Sequence, residues 1–261
     1  MMGRPDFSSL GRLTVKIGTS SLTDSASKLD ERKVKKFVQD IMQVRKGREI
    51  LIVTSGAIGA GMGRLGLKER PRRLDMLQAA AAVGQGILMQ TYEKYFLTHG
   101  QSVAQLLLTG EDFTNPQRLE NFKATLRTLL GWGVIPIINE NDTVATEEIK
   151  IGDNDILAAY VAIHSASQLL VILSDVDGLF TEDPKNSSKA RLVRVIEKSS
   201  SQLDDILRRA PKKFGGIYSK IVAARMVGDH GIPTLLANFA EKDVLGRILR
   251  GEEIGTLILP K

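Results

Sequence analysis

The sequence predicts an α/β fold, a three-layer αβα sandwich with a mostly parallel central sheet. Three observations carry that expectation. Short β-branched apolar runs alternate with segments of helical periodicity, and alternation of this kind builds βαβ units. The runs are almost continuously apolar, as strands buried on both faces must be. The alternation also continues from Leu13 to Leu259 without an internal repeat or a long linker, which gives one domain rather than two.

The first strand covers 13–17 and is closed by Gly18. From Glu31 the apolar positions Val34, Phe37, Val38, Ile41 and Met42 recur at helical spacing. Glu49–Val53 reads as a buried strand ending at Thr54-Ser55-Gly56. A long helix follows over 74–96, with Leu77, Ala80, Ala81, Gly84, Leu88 and Tyr95 along one side. Next come a strand at Val103–Leu108, a helix at 116–130, a strand at 134–138, a helix at 156–163 and a strand at 169–173. The C-terminal part holds a helix at 219–227, a strand at 234–237, a short helix at 243–249 and a last strand at Thr256–Leu259. Residues 1–11 are expected to form a flexible extension ahead of a single domain over 12–261.

Composition narrows the function classes. Of 261 residues, 43% are hydrophobic and 25% charged, an ordinary globular balance. No apolar run approaches the ~18–20 residues that span a bilayer, and the first residues carry no apolar signal core, so no membrane partner is expected. The absence of cysteine removes disulfides, thiolate nucleophiles and zinc–thiolate sites together, and points to a reducing cytoplasm. His99, His164 and His230 stand far apart, so neither a histidine metal site nor a histidine proton shuttle is expected. A net charge of +6 favours anionic partners such as phosphates, carboxylates or nucleic acid. Basic residues cluster at 68–73 and 208–213, but without the interleaved aromatic rings that single-strand binding needs, and no nucleic-acid partner is expected.

In open α/β sheets, ligands bind beyond the carboxyl ends of the strands. Those ends here are Gly18-Thr19-Ser20-Ser21, Thr54-Ser55-Gly56, Asn139-Glu140-Asn141-Asp142 with Gly152-Asp153-Asn154-Asp155 close behind, and Ser174-Asp175-Val176-Asp177-Gly178. Any one could be an ordinary turn; their convergence on one edge points to a site. Gly56, Gly59, Gly61 and Gly63 are expected to let the backbone approach an anion and offer it N–H groups. Gly61-Met-Gly63-Arg-Leu-Gly66 matches a dinucleotide fingerprint by letter, yet it begins well past the strand end and lacks the acidic partner. There is no P-loop pattern either.

Two lysines suggest a different architecture. Lys16 interrupts the apolar run Val15-Lys16-Ile17, where a charge is costly unless it meets a partner. Lys220 follows Gly215-Gly216-Ile217-Tyr218-Ser219 near a helix start, a position that favours anions. The plain readings are an edge-strand lysine reaching solvent and an exposed first-turn lysine. The functional one is that both hold a polyphosphate.

Several stretches resemble the amino acid kinase family, and within it the branch that phosphorylates glutamate. They are Val15-Lys-Ile-Gly-Thr-Ser-Ser-Leu22, Val53-Thr-Ser-Gly-Ala-Ile58, Ala82-Val-Gly-Gln85 and Gln105-Leu-Leu-Leu-Thr109, then Ile135-Pro-Ile-Ile-Asn-Glu-Asn-Asp142, Glu148-Ile-Lys-Ile-Gly-Asp-Asn-Asp155 and Leu173-Ser-Asp-Val-Asp-Gly-Leu-Phe-Thr-Glu-Asp-Pro184. The pairing of Asn-Glu-Asn-Asp with Gly-Asp-Asn-Asp is the specific part. Aspartate, acetylglutamate and uridylate kinases share the fold and are not expected to carry both.

The resemblance implies a carbamate kinase-like fold and ATP-dependent phosphorylation of the γ-carboxylate of L-glutamate, the first step toward proline. It implies Lys16 and Lys220 on the ATP phosphates and the transferring group, with Asp155 orienting them. It assigns Ser55, Gly56, Ala57, Asn139, Asp142 and Asn154 to glutamate. Gly18, Ser174, Asp175, Phe214, Gly215, Gly216, Ile217, Tyr218 and Ser219 join the two lysines in lining the ATP site. Mg²⁺ travels with ATP, and no resident metal is implied. Proline as a feedback inhibitor near the glutamate pocket, and a homo-oligomer (dimer or tetramer), complete the implied picture.

Elementary chemistry agrees with that reading. A carboxylate nucleophile is already ionised at neutral pH, so no general base is needed. The task is to bring two anions together and to neutralise charge spreading over the transferring phosphoryl oxygens. Asp142 suits a substrate ammonium, and Ser55 with nearby glycine amides suits its α-carboxylate. The sequence departs from the family in one loop, where Phe214 replaces a small hydroxyl residue ahead of Gly215-Gly216. Many bacterial members also carry a C-terminal RNA-binding-type PUA domain, which is not expected in a chain ending at Lys261. Two alternatives remain at this stage: another amino acid kinase acting on acetylglutamate or aspartate, or a non-catalytic nucleic-acid-binding or regulatory protein on the same fold, marked by salt-sensitive binding without ATP turnover.

Overall fold

The computed structural model describes residues 4–145, 154–184, 186–211 and 216–260. Eight strands are present among them: β1 (Arg12–Ile17), β2 (Glu49–Val53), β3 (Val103–Leu108), β4 (Ile135–Glu140), β5 (Leu169–Ser174), β6 (Val195–Glu197), β7 (Thr234–Asn238) and β8 (Thr256–Leu259). They form one sheet in the order β3-β4-β2-β1-β5-β7-β8-β6. Every pairing is parallel except β7 with β8, which is antiparallel. The helices are α1 (Thr19–Leu22), α2 (Glu31–Arg45), α3 (Ala57–Leu65), α4 (Leu74–Leu97), α5 (Glu111–Thr114), α6 (Pro116–Gly131), α7 (Asn154–His164), α8 (Ser201–Arg209), α9 (Ile217–Gly228) and α10 (Val244–Leu249). No helix among the described residues is long and apolar enough to cross a membrane.

Side chains alternate across each strand, and the two faces of the sheet bury two separate cores. Leu13, Val15 and Ile17 of β1 join Leu169, Val171 and Leu173 of β5 on one face, under Phe37 and Ile41 of α2 and Leu88, Tyr92 and Phe96 of α4. Leu170 and Ile172 face the other way with Val53 and Ile138, under Phe122 of α6, Leu157 and Val161 of α7 and Ile221 of α9. This alternation directs the polar positions of β1, Thr14 and Lys16, into the second layer. There the Thr14 hydroxyl pairs with the Ser167 hydroxyl at 2.8 Å. Ser200, Asp30 and Asn115 cap α8, α2 and α6 by accepting from backbone N–H groups, which fixes where those helices begin.

Two expectations are corrected. The segment around Gly59, Gly61 and Gly63 is not an open anion-cradling loop but helix α3, entered through Gly56 at φ 106°. Gly59 packs against the Ser27 carbonyl, while Gly61 serves contact between helices, since a Cβ on it would lie 1.8 Å from Ala80 O and one on Gly84 of α4 would lie 1.8 Å from Ala57 O. The two backbones therefore touch, with no side chain between them. The second correction concerns the N-terminus. Residues 4–11 pack onto the domain rather than extending freely, because Phe7 is buried in the first core and its N–H donates to Leu249 O at 2.9 Å. Arg4 adds guanidinium bonds to Gly255 O and Arg194 O, both at 2.7 Å. Of the two readings of Lys16, the edge-strand one is excluded, since β1 lies inside the sheet between β2 and β5.

Candidate active site

The carboxyl ends of β1, β2, β4, β5 and β7 share one edge of the sheet, and the order of strands places β1 at the middle of that row. Lys16 enters the second layer from β1 and is 3% exposed; Lys220 enters from the first turns of α9 and is 4% exposed. Both reach the same carboxylate. Lys16 Nζ lies 2.5 Å from Asp155 Oδ1 and Lys220 Nζ 2.9 Å from Asp155 Oδ2. The Ser219 hydroxyl also donates to Asp155 Oδ2, at 3.1 Å.

Asp155 is fully buried in the first turn of α7, where the helix dipole favours a negative charge. Burial alone would push its carboxyl up. The Lys16 and Lys220 ammonium groups outweigh that effect and hold the pKa below the ordinary carboxylate value. A buried charge triad of this kind is costly to assemble and persists only with close geometry. The two cations are thereby fixed where the chain approaches the edge of the sheet.

Beside the triad, amide side chains make a second network. Asn154 Nδ2 lies 2.7 Å from Thr54 O, 2.7 Å from Ser55 Oγ and 3.0 Å from Asn139 Oδ1. Asn139 Nδ2 in turn donates to Gln85 Oε1 at 2.9 Å. Thr54 is held from behind by the fully buried Tyr92, whose hydroxyl pairs with Thr54 Oγ1 at 2.8 Å. A cavity opens next to this network, lined by Ala57, Gln85, Glu140 and Asp142 among others. It lies between the start of α3, the middle of α4 and the end of β4.

Of the residues expected to meet glutamate, Ser55, Asn139 and Asn154 form the amide network, Ala57 and Asp142 line the cavity, and Gly56 caps α3. Around the expected nucleotide site, Gly18 sits against the triad, since a Cβ there would lie 3.7 Å from Lys16 Nζ. Ser174 is buried at the end of β5, and Asp175 is exposed just beyond it. Gly216, Ile217, Tyr218 and Ser219 lead into Lys220; Phe214 and Gly215 lie outside the described residues. Sequence reasoning missed Gln85 as a member of the site. Its signal was a polar residue next to Gly84 in a helix otherwise read as a core stripe.

The mostly parallel sheet thus brings two buried lysines onto one carboxylate at its carboxyl edge, with a small cavity near the adjoining amide network. The chain belongs to the amino acid kinase family, whose sequence model matches residues 11–238. Its relatives sharpen the class. It is 50% identical over 252 residues to the glutamate 5-kinase of Caldanaerobacter subterraneus subsp. tengcongensis, covering 95% of this chain and 68% of that protein. It is 46% identical over 252 residues to the glutamate 5-kinase of Symbiobacterium thermophilum, covering 94% and 95% respectively. The chain thus spans about two thirds of the first relative and nearly all of the second. Among solved structures it resembles carbamate kinase from Giardia lamblia bound to AMP-PNP, with a TM-score of 0.69 at 15% identity over 97% of this chain, which establishes the shared fold.

Proposed function

We propose that the protein transfers the γ-phosphoryl group of ATP to the side-chain carboxylate of L-glutamate, giving L-glutamyl 5-phosphate and ADP. The observation that carries this reading is the buried Lys16–Asp155–Lys220 triad beside a cavity lined by Asp142. In the reaction a carboxylate oxygen attacks the γ-phosphorus, and the bond from that phosphorus to the β–γ bridging oxygen breaks, its electron pair leaving on ADP. No proton is transferred. The protein's work is positioning and charge neutralisation, which preorganised cations in a water-poor site supply.

Lys16 and Lys220 meet the phosphoryl oxygens as negative charge spreads over them, and Asp155 keeps both ammonium groups in place before ATP arrives. Asp142 pairs with the substrate ammonium. Gly18, Ser174, Asp175 and the stretch from Gly216 to Ser219 border the nucleotide, with Phe214 and Gly215 assigned there by sequence. Mg²⁺ enters as part of the nucleotide substrate and neutralises its phosphates. Feedback by proline at the acceptor pocket, a homo-oligomeric state and a cytoplasmic setting belong to the same reading.

The test is hydroxylamine trapping of the acyl phosphate, with L-glutamate, N-acetylglutamate and aspartate offered one at a time. ATP-dependent hydroxamate from L-glutamate alone supports the proposal. Product from another acceptor in preference to glutamate overturns it. Adding proline to the same assay reads feedback directly.

A further inference from the structure

The amides of the cavity form a chain whose direction is forced. Asn139 Oδ1 accepts from the backbone N–H of Glu140 at 2.9 Å and lies 3.0 Å from Asn154 Nδ2. A flipped Asn139 would set its own NH₂ against two donors, so its carbonyl oxygen must face them. Asn139 Nδ2 then donates to Gln85 Oε1 at 2.9 Å, and Gln85 is fixed with its Nε2 turned away from Asn139. That Nε2 is buried and has no hydrogen-bond partner among the described residues. Buried donors are nearly always satisfied, so an orphan beside a cavity marks a place for a ligand acceptor atom. Gln85 lines the same cavity as Ala57 and Asp142, brought there by the contact of Gly84 with the Ala57 carbonyl.

We propose that Gln85 is a specificity-determining residue, its Nε2 donating to the carboxylate on the α-carbon of the amino acid acceptor. The inference rests on the reading of this cavity as the glutamate pocket. The connectivity supports the assignment: Asp155 holds the lysines, its chain neighbour Asn154 bonds Asn139, and Asn139 bonds Gln85, so Gln85 is the member of this chain furthest removed from the lysines by number of links. The reacting carboxylate belongs at the lysine end. The α-carbon carries both the ammonium and the second carboxylate, and Asp142 and Gln85 line one cavity. An acceptor lacking that carboxylate leaves the Gln85 donor buried and unpaired, and a site of this kind rejects such analogues strongly.

Gln85→Glu preserves the side-chain size and the acceptor for Asn139 but deletes the donor. Hydroxamate formation is measured with L-glutamate and with 4-aminobutanoate, which lacks the α-carboxylate, together with KM for ATP and the melting temperature. The expected result is a rise in KM for glutamate of at least about tenfold, the loss typical of a hydrogen bond to a charged group, with KM for ATP unchanged; Gln85→Met, which removes the donor without adding charge, shows the same loss of acceptor preference and separates the missing donor from repulsion by the new carboxylate. The preference for glutamate over 4-aminobutanoate in kcat/KM falls by a similar factor. A purely structural role for Gln85 leaves the acceptor preference of Gln85→Met at the wild-type value. An unchanged KM for glutamate, or an equal loss on both acceptors, overturns the assignment while the active wild type keeps the kinase reading intact. A wild type that makes no hydroxamate from glutamate overturns that reading and this assignment with it. If Gln85→Glu does not fold, Gln85→Met is judged by the same acceptor preference.

Discussion

Replacing Asp155 by Asn removes the negative charge between two buried ammonium groups while keeping shape and volume. The contacts are 2.5 Å to Lys16 and 2.9 Å to Lys220, and the carboxylate is fully buried. At an effective dielectric constant near 20, one pair of unit charges about 4 Å apart is worth about 4 kcal/mol. Part of that is offset by desolvation, and the Asn carbonyl still accepts from one lysine. The net loss is therefore expected at about 3–4 kcal/mol, within the range for breaking a buried ion pair. The assay is urea unfolding of both proteins at pH 7, with the slope confirming that the unfolded states are alike. Saturating ATP should recover part of the gap, since its phosphates supply negative charge to the same lysines, and kcat should fall by at least about 100-fold, some 2.7 kcal/mol of barrier. The sign of the pH dependence follows from the depressed pKa of Asp155. Its contribution is fully present above the unfolded value near about 4 and is lost as pH falls through the lower folded value, so the two proteins should converge in stability only in acid. A gap below about 0.5 kcal/mol at pH 7 with an unchanged slope would refute the triad as the organising element of the site.

Other consequences are measurable in the same way. Lys16→Met and Lys220→Met should each lower kcat by about a thousandfold while the circular dichroism spectrum stays native, because each removes charge that matters most as the phosphoryl group transfers; near-wild-type turnover in either removes that lysine from the mechanism. Asp142→Ala should raise KM for glutamate far more than KM for ATP, and equal effects on both substrates would exclude it as the ammonium partner. Gly84→Ala places a Cβ 1.8 Å from a backbone oxygen and should cost about 3 kcal/mol or more, whereas Gly86→Ala, two residues on with nothing within 4 Å, should gain about 0.5–1 kcal/mol from helix propensity. Thermal melting of the pair separates a steric role of Gly84 from a general effect of glycine in α4.

Much of the layered fold was legible because strand and helix periods differ so clearly here, and the expected strands lie within a residue or two of those observed. Lys16 was conspicuous for a physical reason: a charge in an apolar run demands a partner. The partner itself, Asp155, lies far away in sequence, and only folding shows that β1, α7 and α9 meet there. Helix α3 was misread because its glycines lower helix propensity and resemble a phosphate loop, while the packing that stabilises the helix belongs to α4. The N-terminal segment was misread because one buried ring, Phe7, leaves no periodic trace. Gln85 stood inside a stretch with family resemblance but received no role, since its meaning depends on which way the Asn139 amide is turned, and letters do not record orientation.

The direct backbone contact between α3 and α4 has an effect on how the pocket can change. Where two helices are spaced by side chains, a core substitution lets them slide apart or together. Here Ala57 and Gln85 are separated by a distance set by peptide geometry, so one wall of the proposed acceptor pocket is inelastic. Longer or bulkier acceptors must be admitted, if at all, by alterations elsewhere in its lining, at residues such as Glu140 and Asp142.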